Sequence, residues 1–197
     1  IVGLIAIQDA PKSTSKEAIS ALKSQGLKTV MLTGDNSAVS KAIADQVGID
    51  EVVANVLPAD KANQVKNFQQ SGKVAFVGDG INDAPALSTA DVGIAMGSGT
   101  DIAIESGGIV LVKNDLRDVY KALELSKKTF NRIKLNLFWA FVYNVLGIPV
   151  AAGVFYFIGM TLSPELAGLA MALSSLSVVT SSVLLNRTKI AEVPVPS

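Results

Sequence analysis

Acids, hydroxyls and a lysine stand at the ends of apolar runs in this chain, and their types suit phosphate and a hard metal ion. The segment Val77-Gly78-Asp79-Gly80-Ile81-Asn82-Asp83-Ala84-Pro85 follows the apolar run Val74-Ala75-Phe76-Val77. Its glycines and acids must turn tightly before a short helix with good starting signals. Such a strand end presents hard oxygen ligands and open backbone N–H groups, which Mg²⁺ and phosphate take. Upstream, Val30-Met31-Leu32-Thr33-Gly34-Asp35 repeats the design with a hydroxyl, a glycine and an acid. Between the two, Pro58-Ala59-Asp60-Lys61 supplies a cation. Taken singly, Thr-Gly-Asp is an ordinary turn or helix start, Asp-Gly an ordinary turn, and Lys61 a solvated helix residue. Their order, each after an apolar run, points to phosphate handling.

The elements that must position these loops are legible as alternation. Strand-like runs fall at residues 2–7, 29–32, 52–54, 74–77, 92–95 and 109–112. Helical patterns fall between them, at about 15–24, 37–47, 60–71, 84–90 and 101–106. Gly26 and Gly48 stand where C-terminal helix caps belong. Strand–helix alternation with short connections predicts a parallel sheet covered on both faces. The motifs follow strands, at the carboxyl edge where open α/β sheets bind ligands.

Composition narrows the chemistry. The 197 residues carry 17 Lys+Arg against 17 Asp+Glu, so net charge gives no case for nucleic acid. Cysteine and histidine are absent, which excludes disulfides, structural zinc sites, and Cys or His catalysis within this chain. Hydropathy is uneven: charges are frequent up to Lys134 and nearly vanish until Arg187. The start inside an apolar run, Ile1-Val2-Gly3, reads as the interior of a longer chain and not as a signal peptide.

A helical pattern runs from Leu116 through Lys134, and residues 135–160 then hold no charge. At 1.5 Å per residue that run is roughly 39 Å of helix, more than a ~30 Å hydrocarbon core requires. A turn at residues 161–165 leads into a second uncharged run, 166–185. Lys127, Lys128, Arg132 and Lys134 precede the first run; Arg187 and Lys189 follow the second. These flanks predict a membrane hairpin with both outer ends cytoplasmic, and favour it over a pair of buried core helices. Residues 1–118 thus form a soluble module, 119–189 a linking helix and two spans, and 190–197 an unstructured tail.

Polar residues inside the runs are costly and become functional candidates. The first holds Asn136, Tyr143, Asn144 and Pro149; the second holds Met171, Ser174, Ser175, Ser177, Thr180, Ser181 and Ser182. Without a carboxylate, they disfavour Ca²⁺ and Zn²⁺; thioether, amide and hydroxyls suit a soft monovalent ion, and methionine selects Cu(I). Ser177, Thr180, Ser181 and Ser182 read as back-bonding or packing residues. Glu165 reads equally as an exit ligand or a helix-start acid.

The order Thr33-Gly34-Asp35, Lys61, Gly78-Asp79-Gly80-Ile81-Asn82-Asp83 resembles the phosphate motifs of the haloacid dehalogenase superfamily, in the form found in P-type ATPases. Asn136-x6-Tyr143-Asn144-x4-Pro149 with Met171-x2-Ser174-Ser175 resembles the last two membrane helices of the copper-transporting branch. The resemblance implies an α/β, haloacid-dehalogenase-like (Rossmann-like) parallel sheet, incomplete at its N-terminus, followed by an α-helical transmembrane hairpin. It implies ATP and Mg²⁺ as cofactors and Cu(I) as cargo. Asp79 would ligate Mg²⁺, Thr33 and the Gly34 N–H would hold phosphoryl oxygens, and Lys61 would neutralise developing charge. Asn82 and Asp83 would order the loop, Asp35 would complete its own, and Asp9, Gly78 and Gly80 would line the cofactor site. Asp9-Ala10-Pro11-Lys12 resembles the family's acid–proline–basic turn. Tyr143, Asn144, Met171 and Ser175 would line the copper pathway.

The family's Asp-Lys-Thr-Gly nucleophile, its Thr-Gly-Glu loop and a nucleotide-binding domain do not occur in this chain. The resemblance therefore implies partners: the nucleotide-binding, actuator and earlier membrane regions of the same pump, membrane lipid, and a copper chaperone. It places the pump in the plasma (inner) membrane, and this chain alone should be inactive. The rivals are a membrane-anchored phosphatase of the same superfamily, a pump for another cation, and a non-catalytic fragment.

Overall fold

The computed structural model describes residues 10–78, 82–97, 108–159, 163–185, 187–188, 190 and 192–193. The chain divides into two compact units, Ile1–Ala122 with Glu192–Ser197, and Leu123–Ala191.

In the first unit, α1 (Ser15–Ser24) buries Ala18, Ile19, Ala21 and Leu22, an apolar stripe at helical spacing. β1 (Val30–Leu32) leads into α2 (Ser37–Val47). Asn36 caps α2 by accepting from the Val39 N–H at 3.0 Å. Gly48 ends it in the left-handed conformation, φ 83°. β2 (Glu51–Val53), a 3-10 turn (Pro58–Asp60), α3 (Lys61–Gln69), β3 (Ala75–Gly78), α4 (Ala84–Thr89), β4 (Val92–Met96) and β5 (Ile109–Leu111) follow.

Every pairing among the described strands is parallel, as the alternation predicts. β1 lies beside β2 with Val30 opposite Glu51, and β3–β4–β5 share a register running from Ala75 opposite Val92 to Met96 opposite Leu111. The described strands nevertheless form two sheets, not one. Alternation fixes parallel sense but not which strands become neighbours: α3 delivers β3 to β4 and not back to β2. The expected strand at 2–7 and helix at 101–106 lie outside the described residues. β4 is the buried strand, and its Ala95 packs with Leu87 of α4 and with Phe76.

α5 (Arg117–Ala151) starts with Val119 and Tyr120 buried. In the second unit it is followed by a 3-10 turn (Tyr156–Ile158) and α6 (Pro164–Leu185). Residues 135–160 were expected as one helix; the helix stops at Ala151. Pro149 has no N–H for the Val145 carbonyl one turn back, which loosens the last turn, and Gly153 then turns left-handed at φ 79°. The Val154 N–H then donates to the Pro149 carbonyl at 3.0 Å. α6 begins directly after a Ser163 cap, whose hydroxyl accepts from the Leu166 N–H at 3.3 Å. Both helices are long and apolar enough to cross a membrane. Phe138, Phe141, Leu146 and Leu176 are exposed, which suits a lipid-facing surface and not the core of a water-soluble domain.

Candidate functional site

The loop after β1 is held by its own hydroxyl and by the loop after β2. Thr33 Oγ1 donates to Asp35 Oδ2 at 2.9 Å and accepts from the Asp35 N–H at 3.2 Å. The Val56 N–H donates to the Thr33 carbonyl and the Asn55 N–H to the Asp35 carbonyl, at 3.0 and 2.9 Å. Asn55 manages this in the left-handed region, φ 57°, which asparagine tolerates. Beneath, the fully buried Ser40 donates its hydroxyl to the Asn36 carbonyl at 2.8 Å, with the Asp35 carbonyl at 3.4 Å. Among the described residues, the Gly34 N–H has no partner. A backbone so anchored, with a free N–H and an exposed carboxylate, is preorganised for an anion or a hydrated cation.

The second cluster joins the start of α3 to the start of α4. Lys61 Nζ lies 2.6 Å from Asp83 Oδ1, with both side chains largely withdrawn from solvent. Asp83 in turn presses on the end of β3: a Cβ at Gly78 would stand 2.5 Å from Asp83 Oδ2 and 2.9 Å from its Cβ. Only glycine fits there without moving the carboxylate. Desolvated ion pairs with hydrogen-bond geometry are stronger than surface pairs, and removing one partner strands a charge.

Thr33, Gly34 and Asp35 are thus one group, and Lys61, Gly78 and Asp83 another. Among the described residues no hydrogen bond or ion pair joins the two. Asn82 sits in an exposed turn between Gly78 and Asp83. Asp9, Asp79 and Gly80 lie outside the described residues. Sequence reading missed Ser40, Asn55 and Val56 as supports of the first loop; the only signal was an asparagine before Val-Leu-Pro, a residue suited to a left-handed turn.

In the membrane unit, the Asn144 side-chain nitrogen donates to the Ala140 carbonyl at 2.8 Å, and Tyr143 stacks obliquely on Trp139 at 6.4 Å. Met171 and Ser175 are exposed on α6. Among the described residues no hydrogen bond joins any of these four to another. Ser177 and Ser182 donate to the carbonyls of Ser174 and Val178, each at 2.8 Å, the back-bonding expected of them. The helices are tied instead by Arg132 donating to Ser181 at 3.2 Å and Asn136 to Ser182 at 3.0 Å. Glu165 stands in the first turn of α6.

Comparison with known proteins agrees with these features. Residues 1–91 match the haloacid dehalogenase-like hydrolase family. A probable copper-exporting P-type ATPase of Archaeoglobus fulgidus is 54% identical over 94% of this chain, which spans 23% of that protein. Copper-transporting ATPase 1 of Mus musculus is likewise 54% identical over 94%, with 12% of its length spanned. A crystal structure of a zinc-transporting PIB-type ATPase superposes with TM-score 0.79 at 39% identity, covering 90% of this chain and 28% of the other. Along 94% of its length this chain is similar to a part of these two copper ATPases, spanning less than a quarter of either.

Proposed function

We propose that the chain is part of an ATP-driven Cu(I) exporter that cycles through an aspartyl-phosphate formed on another segment of the pump. The likeness at 54% identity carries this reading, because it runs through both the strand-end loops and the uncharged helices. Thr33 and the Gly34 N–H hold phosphoryl oxygens, and Asp35 orders that loop through Thr33. Lys61 neutralises charge as the phosphoryl group moves, with Asp83 holding its ammonium at the mouth of β3. The donor set at this edge, carboxylates and a hydroxyl, fits Mg²⁺, and the crowding of Asp83 onto Gly78 supports a strand end drawn tight around oxygen ligands. Asp79, with Gly78 and Gly80 giving close approach, would hold the ion. When bound, Mg²⁺ screens charge between carboxylate and phosphoryl oxygens. Asn82 supports the same loop, and Asp9 would contribute to cofactor binding.

In the membrane, Tyr143, Asn144, Met171 and Ser175 serve the copper pathway. Asn144 spends its nitrogen on Ala140, which leaves the amide oxygen for a ligand. The thioether of Met171 suits a soft ion. The cationic flanks favour a cytoplasmic first unit and C-terminus, in a plasma (inner) membrane. The rest of the pump, lipid and a copper chaperone are the partners. A zinc reading is favoured by the solved zinc-transporting neighbour, but at 39% identity against 54% and without a carboxylate in residues 135–160 or 166–185.

The test uses full-length pump in lipid vesicles. Asp79→Asn should abolish phosphoenzyme formation while copper binding persists. Met171→Leu, which keeps volume but offers no lone pair, should lose Cu(I)-stimulated turnover. Stimulation by Zn²⁺ and not by Cu(I) in the unaltered pump would transfer the assignment to zinc.

A further inference from the structure

Resting on the pump reading above, we propose that Lys12, Thr14, Asp115 and Arg117 form a positioning joint that ties the first turn of α5 to the phosphate-handling unit. Through it, changes at the strand-end loops reach the helix that carries Tyr143 and Asn144. These residues do not touch phosphate or metal; they act through α5.

The joint brings together residues a hundred positions apart. Lys12 donates through Nζ to the Asn114 carbonyl, 102 residues on. Thr14 stands at the N-cap position of α1 but makes no cap bond. Its hydroxyl turns outward and donates to Asp115 Oδ1 at 3.4 Å. The same Asp115 oxygen accepts from the Arg117 N–H at 2.9 Å, which starts α5. Arg117 then folds back on the carboxylate with Nε 3.0 Å and Nη2 2.7 Å from Oδ2. An arginine fork fixes orientation as well as distance, which a lone cap does not. Arg117 also holds Asp115 at a pKa of about 2, so the joint stays ionised at neutral pH. Directly after it, Val119 and Tyr120 are buried.

Placement supports the role. Asn114 and Asp115 follow the carboxyl end of β5, which is parallel to β3, so they leave the sheet on the edge where Gly78 ends β3. Lys12 opens the turn into α1, its carbonyl accepting from the Ser15 N–H at 2.9 Å, and Pro11 before it stiffens the backbone. Its amine is committed to a carbonyl of the β5–α5 connection. A helix needing only a start would require none of the Lys12 and Thr14 contacts.

The experiment compares unaltered full-length pump with Arg117→Met, Arg117→Lys and the double variant Lys12→Met/Thr14→Val, reading phosphoenzyme level, KM for Cu(I) and Cu(I)-stimulated kcat. The expected result is kcat down on the order of tenfold in Arg117→Met, within the usual range of site-to-site coupling, with phosphoenzyme level and KM unchanged. Arg117→Lys should restore part of the loss, and the double variant should fall in the same direction. The double variant leaves the Asp115–Arg117 cap intact, so it remains decisive if Arg117→Met does not fold. Unchanged kcat in the folded variants overturns the proposal, as does a parallel fall of phosphoenzyme and kcat, the mark of general damage. Absence of Cu(I) stimulation in the unaltered pump sinks the functional reading itself and this joint with it.

Discussion

The two edges of the α/β unit use the same residue types to opposite ends. At the amino edge, Asp50, just before β2, accepts from the N–H and hydroxyl of Thr29, just before β1, both at 2.9 Å, and pairs with Lys23 at 2.5 Å. Asp91, just before β4, repeats this: it accepts from the Val74 N–H at 3.0 Å and from Gln69 at 3.1 Å, and pairs with Lys73 at 2.7 Å. These donors hold both carboxyls well below the usual range, at about 2. At the carboxyl edge, the Asp35 carboxylate accepts from the Thr33 hydroxyl alone among the described residues, and the Gly34 N–H is open. Acids whose capacity is exhausted by the fold fasten strands; acids with capacity to spare await a ligand.

The comparison breaks most sharply at Lys61. Lys61→Met in the full-length pump should lower phosphoenzyme formation on the order of a hundredfold, the scale for removing one preorganised charge stabiliser. A normal rate would mean that its pairing with Asp83 only fastens helices, making the edges alike. Gly78→Ala comes next: the new methyl displaces Asp83, and overpacking of this kind costs about 1–3 kcal/mol. The readout is a circular dichroism melt of the chain in detergent, and an unchanged midpoint would show that the strand end has slack. At the amino edge, Asp91→Asn should lower the melting midpoint yet leave phosphorylation intact at a permissive temperature. Loss of phosphorylation in a stably folded variant would erase the division of labour. Smallest is the acid limb. Asp50 and Asp91 titrate at about 2 in the fold against 3.8 unperturbed, so their stabilisation is complete above the higher value. It is lost as pH falls through that window. Asp50→Asn/Asp91→Asn should flatten the loss of stability there, and an unchanged slope would remove these clasps from the account.

The amino-edge acids show where sequence stops being legible. α1 and α2 were readable to the residue because cap, stripe and glycine are local signals. β2 starts at Glu51 and not at Val52, because ladder pairing with Val30 and not side-chain polarity sets its bound. Thr33, Lys61, Gly78 and Asp83 were readable as motif members. That Lys61 meets Asp83, or that Asp83 forbids a Cβ at Gly78, depends on where α3 and α4 pack. The clasps were unreadable for the same reason: an aspartate before a strand looks the same whether or not a lysine and an N–H arrive to meet it. In the membrane unit, the apolar run masked the stop that Pro149 and Gly153 impose.

The clasps also bear on how the unit assembles in time. They close loops of only 21 and 17 residues, Thr29 to Asp50 and Val74 to Asp91. Closure entropy grows slowly with loop length, so such short loops lose little chain freedom, and local contacts fold fast. Each strand pair can therefore lock during synthesis soon after its second strand is free of the ribosome. The joint across Thr14 and Asp115, by contrast, spans 101 residues and must wait for both pairs. The chain's register is set early by fasteners that take no part in the chemistry, and its link to α5 is made last.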